Sequence, residues 1–102
     1  MAEVIWTEPA LIDLDNIADY IALDKPTAAR HFIQKVFSKV ERLTQFPDSG
    51  KKPAELAANT RYRELVVKPC RIFYRVQGEK VYIVHVMRSE RMLRLYMLGN
   101  DI

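Results

Sequence analysis

The stretch that decides the fold is "RIFYRVQGEKVYIVHV", residues 71–86. Its two halves alternate with period two and are rich in Val, Ile, Tyr and Phe. QGE at 77–79 is a tight-turn signal, so the segment reads as a β-hairpin. Period two also sorts the first strand: Arg71, Phe73 and Arg75 share one face, and Ile72, Tyr74 and Val76 the other. Just upstream, "TRYRELVV" (60–67) is a third strand candidate, and at the far end of the chain "VIW" (4–6) is a short β-prone run.

Between these, the period is helical. Thr7 is a candidate N-cap with Pro9 in the first turn. Leu11, Leu14, Ile17 or Ala18, and Ile21 then recur at helical spacing, with Asp13, Asn16 and Asp19 on the opposite face. "ALDKP" breaks the pattern, because the residue before Pro26 resists the α region. A second, longer helix starts at Pro26, with Ala29, Phe32, Ile33, Val36, Phe37, Val40 and Leu43 as its apolar stripe. "FPDSGKKP" (46–53) ends it and opens a loop. The expected fold is α+β: a small, antiparallel-rich sheet of four strands packed on an N-terminal αα-hairpin, in the order β-α-α-β-β-β. One hairpin covers one sheet face, which leaves the other partly open and lined by arginines. The tail 89–102 is too apolar for a solvated end. It reads as a short helix from Ser89 to Gly99 that folds onto the sheet or onto a partner.

Length and composition bound the function. A chain of 102 residues with 49% hydrophobic and 28% charged side chains reads as one domain spanning 1–102, with a single modest core. No apolar run approaches the ~20 residues that cross a bilayer, and the N-terminus lacks the basic start of a signal peptide. The lone Cys70 excludes an intrachain disulfide and a Cys-based zinc site, so a reducing cytoplasm is expected, with no metal and no cofactor. Residues 1–24 hold six of the 13 acids and no Lys or Arg, so all 16 bases fall after residue 24. Such a basic remainder suits nucleic acid, a ribosome or an acidic protein segment.

Single residues carry little chemistry by themselves. His85 lies among Ile83, Val84 and Val86 and reads as an ordinary strand residue, and His31 as a helix-face residue with no second ligand near. Cys70 has nothing to activate it, and Trp6 reads as core.

"DLDNIADYIA", "PTAARHFIQKV", "LTQFPDSGKKPAEL", "YREL" and "CRIFYRVQGEKVYIVHVMRSER", in this order and spacing, resemble the RelE/ParE superfamily of type II toxin–antitoxin toxins from about residue 4 to residue 91. The resemblance implies the β-α-α-β-β-β fold, a cytoplasmic protein, and a cognate antitoxin that wraps the toxin and supplies any DNA binding. It also implies one of two targets: the RelE-like branch cuts messenger RNA on the ribosome, and the ParE-like branch inhibits DNA gyrase and so replication.

Metal-free RNA cleavage needs a base, an acid and cations that hold the phosphate. By resemblance the candidates are Glu55, Arg71 and Arg88, with His85 or Tyr96 as stand-ins. Relatives that cut RNA place Tyr, or His and Tyr, just beyond the last strand, where this chain has Ser89, Glu90, Arg91 and Met92. The favoured expectation is therefore a ParE-like gyrase inhibitor with no catalytic residues. Its target-binding set is Arg71, Arg75, Arg88, Arg91 and Arg94, and its antitoxin-binding set is Ile17, Ile21, Phe32, Val36 and Tyr74. The alternative is a ribosome-dependent endoribonuclease.

Overall fold

A computed structural model describes residues 1–99. Strand β1 (Glu3–Trp6) leads into helix α1 (Glu8–Asp24) and helix α2 (Pro26–Glu41). Strands β2 (Tyr62–Val67), β3 (Cys70–Gln77) and β4 (Lys80–Arg88) follow. The sheet runs β1-β4-β3-β2. The β2–β3 and β3–β4 pairs are antiparallel, and β1 lies parallel to β4. The expected order and the antiparallel-rich sheet on a helical hairpin are both present.

Local chemistry explains the joints. The Thr7 hydroxyl caps α1 by accepting from Ala10 N at 3.4 Å, and it donates to the Ile83 carbonyl at 2.7 Å, tying the helix start to β4. Gly78 turns the β3–β4 hairpin with φ +61, while Glu79 keeps a negative φ. Positive φ at the first central position alone is the II′ pattern that suits the strands' twist. Gly50 is required by close approach. A Cβ there would lie 2.6 Å from the Tyr74 hydroxyl and 2.7 Å from the Glu64 carbonyl.

The main core lies between hairpin and sheet. Ala10, Leu14, Phe32, Val36, Val40 and Leu43 meet Leu65, Ile72, Tyr74, Val81, Ile83 and Val86. The buried Tyr74 hydroxyl accepts from Gly50 N at 2.9 Å and donates to the Pro47 carbonyl at 2.8 Å, so its polar atom is satisfied. In α1 the buried line is Ala10, Leu14 and Ala18. That register turns Leu11 outward and Asp13 toward the β4 edge, against the expected faces, because small residues let the helix approach the sheet closely.

The second sheet face is covered, not open. Tyr62, Phe73, Val84 and Met87 form a smaller apolar cluster closed by Leu56 from the 51–58 loop and by Leu93, Met97 and Leu98 from the tail. The tail forms one short 3-10 turn at Leu95–Leu98 and not a helix from Ser89. Residues 89–91 make a turn instead, in which Arg91 N donates to the Arg88 carbonyl at 3.1 Å and Ser89 N donates to the Pro69 carbonyl at 2.9 Å. Residues 100–102 of the expected tail lie outside the described residues.

Candidate functional site

Three segments converge at Arg71 on β3. Its Nε and Nη2 donate to Glu64 Oε1 at 2.8 and 2.6 Å. Its Nη1 and Nη2 donate to Glu55 Oε2 and Oε1 at 2.8 and 2.7 Å, a two-pronged pairing. Glu64 is only 4% exposed, and Lys51 reaches its other oxygen at 3.7 Å. The guanidinium lies 4.9 Å above the Phe73 ring, as a lid on the smaller apolar cluster. Glu55 Oε2 also accepts the Leu93 N–H at 3.1 Å, so one carboxylate joins the loop, the sheet and the tail.

Pairing sets the protonation chemistry. The hydrogen-bonded Arg71 guanidinium holds the Glu55 carboxyl down at about 2. Glu55, and then Glu64, hold the Arg71 proton more tightly than usual against the opposing effect of burial. A base needs an affinity for protons near working pH, and a phosphate clamp needs free N–H edges. Glu55 lacks the first and Arg71 the second. Of the five nuclease candidates, these two are brought together in a way that neutralises both.

The others are spread along the β4 edge and the tail. Arg88 Nε donates to Glu90 Oε2 at 2.8 Å, and its guanidinium lies 5.5 Å over the exposed Tyr20 ring of α1. His85 is re-aimed by an irregularity in the β3–β4 register at Phe73/Tyr74. Its Nδ1 lies 2.7 Å from Asp13 Oδ2, which also accepts the Val86 N–H at 3.2 Å. β1 ends at Trp6, opposite Ile83, so Asp13 supplies the acceptor that β4 lacks beyond that point. The Asp13–His85 pair and the Arg88–Tyr20 stack were missed by sequence reasoning. Their partners lie 72 and 68 positions apart, and no local pattern signals such meetings. Tyr96 is 79% exposed on the tail.

Among the expected target-binding arginines, Arg91 and Arg94 are exposed and Arg88 partly so. Arg75 is not on the surface. It is 6% exposed, lies 4.4 Å over the Tyr82 ring and donates to Gln77 Oε1 at 2.6 Å. The second sheet face folds its own arginines down as cover. The expected antitoxin contacts divide likewise. Ile21 and Phe32 line a groove of ≈ 330 Å³ with Lys35 and Pro69, and Ile17 lines another of ≈ 240 Å³ with Arg88 and Arg91. Val36 and Tyr74 are fully buried in the main core and offer no surface, because the helical stripe that carries Val36 is spent on the sheet. A third, open groove of ≈ 920 Å³ follows the β2 edge past Lys51, Lys52, Val66 and Lys68 to Arg71.

Comparisons with known proteins agree with this architecture. Residues 4–93 match the family model for the ParE toxin of the type II toxin–antitoxin system parDE. Toxin RelE2 of Caulobacter vibrioides is 35% identical, over 90% of this chain and 100% of its own. Putative toxin Y4kP of Sinorhizobium fredii is 35% identical, over 84% and 86%. Toxin ParE3 of Caulobacter vibrioides is 31% identical, over 85% and 86%. A solved structure of the chromosomal ParDE system from P. aeruginosa superposes with a TM-score of 0.72 at 29% identity, covering 88% of this chain and 98% of that one.

Proposed function

Since the chain belongs to the ParE toxin family of type II toxin–antitoxin systems, we propose that it arrests growth by inhibiting DNA gyrase without cutting nucleic acid. The observation that carries this reading is the Glu55–Arg71–Glu64 lock. The residues best placed for RNA cleavage are bonded to one another, and the carboxylate is held far from the range of a base. What remains available is a binding surface: Arg88, Arg91 and Arg94 beside the exposed Met92, Leu95 and Tyr96. Cationic side chains around exposed apolar ones fit a protein partner, the charges steering encounter and the apolar groups giving affinity.

A cognate antitoxin follows from the family. Its docking surface in this reading is the seam where the hairpin meets the sheet, with Ile21 and the Phe32 edge in a groove beside Pro69 and Ile17 in another beside Arg88. Both encounters are placed in the cytoplasm; no helix among the described residues is long and apolar enough to cross a membrane.

The test is a supercoiling assay with purified toxin and gyrase. Inhibition at micromolar toxin, alongside an intact messenger in a ribosome cleavage assay, is expected. Active gyrase untouched by the toxin overturns the proposal. Ribosome-dependent cleavage is the second reading, favoured by the name of the RelE2 relative, and a cut transcript would establish it.

A further inference from the structure

The tail sorts its side chains sharply although, among the described residues, it pairs with no strand. Leu93 and Leu98 are 2% and 3% exposed, while Met92, Leu95 and Tyr96 are 59%, 62% and 79% exposed. Three large apolar side chains exposed within five residues make a contiguous patch of the kind that meets a partner. Two buried leucines fix two points of the chain but leave the direction of the backbone between and before them free. Polar pins supply that direction. Glu55 Oε2 accepts the Leu93 N–H at 3.1 Å, and Arg71 Nη1 reaches the Arg91 carbonyl at 3.5 Å.

These pins are themselves braced. Glu64 holds Arg71 from the far side through two donors, and the Glu64 main chain pairs with Lys51 at 2.7 and 3.1 Å. The chain of contacts runs from the β2 edge, through Arg71, to the tail backbone. It reaches the strip through the Arg91 carbonyl and involves none of the strip's side chains.

We infer that Glu55, Arg71 and Glu64 form a positioning strut that presents Arg91, Met92, Arg94, Leu95 and Tyr96 to the target in a fixed conformation. The inference rests on the proposed role of that strip as the target surface. The side chains a nuclease would use for chemistry are used here to hold a binding segment still, which spares the ordering cost on association. The strip, two arginines among three apolar side chains, fits a partner surface with an apolar hollow rimmed by carboxylates.

The experiment compares the wild-type protein with Glu55→Gln, which keeps the shape and removes the charge, and with Arg71→Lys, which keeps the charge and loses the fork. Amide hydrogen exchange is read residue by residue, and growth arrest is scored on induced expression at equal folded levels. In both variants, exchange at Leu93 and Met97–Leu98 should speed up on the order of tenfold, the weight of one charge-assisted hydrogen bond. Exchange in β3 and β4 should rise by no more than the loss of global stability measured in urea for each variant, and growth arrest should weaken. An unchanged tail, a rise in β3 and β4 beyond that loss, or undiminished arrest with a loosened tail would overturn the strut. A wild-type protein that arrests no growth would instead overturn the proposed function, and exchange alone would then decide the strut.

Discussion

The two faces of the sheet are closed by different means. Against the hairpin, closure is apolar and broad: two amphipathic helices lay a continuous stripe on Leu65, Ile72, Ile83 and Val86, and its one deep hydroxyl, on Tyr74, is satisfied by loop backbone. On the other face, among the described residues, a loop and a tail provide Leu56, Leu93, Met97 and Leu98, and a guanidinium with two carboxylates completes the cover. Apolar area closes a face without regard to direction, whereas charge-assisted bonds close it only in one geometry. The helix face therefore sets stability, and the tail face sets conformation.

That contrast can be broken on either side. The largest effect is expected from Phe32→Ala, which opens a cavity in the broad core and should lower unfolding free energy by about 4 kcal/mol in urea titration. Arg71→Ala should come next, at about 3 kcal/mol by the same method, because it removes both donors to a Glu64 that is 4% exposed and leaves it Lys51 at 3.7 Å. A smaller loss from Phe32→Ala than from Arg71→Ala would break the contrast, and a larger effect of Arg71→Ala on tail exchange would sharpen it. The smallest effect is a pH signature. Glu55 titrates at about 2 when folded against an ordinary 4.5, so its pairing stabilises fully above pH 4.5 and fades as pH falls through about 2. Melting temperatures of wild type and Glu55→Gln should thus differ most near neutral pH and converge toward pH 2. A gap that stays constant across that range would show that the Glu55 charge contributes nothing.

Much of the fold was legible. Alternation in 71–86, the turn at Gly78, the helical spacing of 26–43 and the Pro26 break each fix an element through local chemistry alone, and each element stands in the structure. The candidate site was legible in its members and not in its state. Glu55 and Arg71 were each candidates through the family resemblance, yet their bonding to each other, and the share taken by Glu64, depends on loop 51–58 crossing over β3. The face assigned to Asp13 failed for a related reason. Helical periodicity gives a stripe, but the rotation of α1 against the sheet is set by how closely Ala10 and Ala18 let it approach. Arg75 was read as surface because alternation reports a side and not what covers it.

The sequence by itself determined the order of elements, the α+β class and the supply of cations on the second half of the chain, since these follow from period, turn chemistry and composition. Only the tertiary structure decided which charges are spent within the protein and which remain for a partner. Arg71 and Arg75 are folded into the cover of the sheet, while Arg91 and Arg94 stay outward. These ion pairs and cation–π stacks form across neighbouring strands, Arg71 with Glu64 and Arg75 with Tyr82, and to the 51–58 loop through Glu55. Their existence depends on packing distances of a few ångströms that no local pattern encodes.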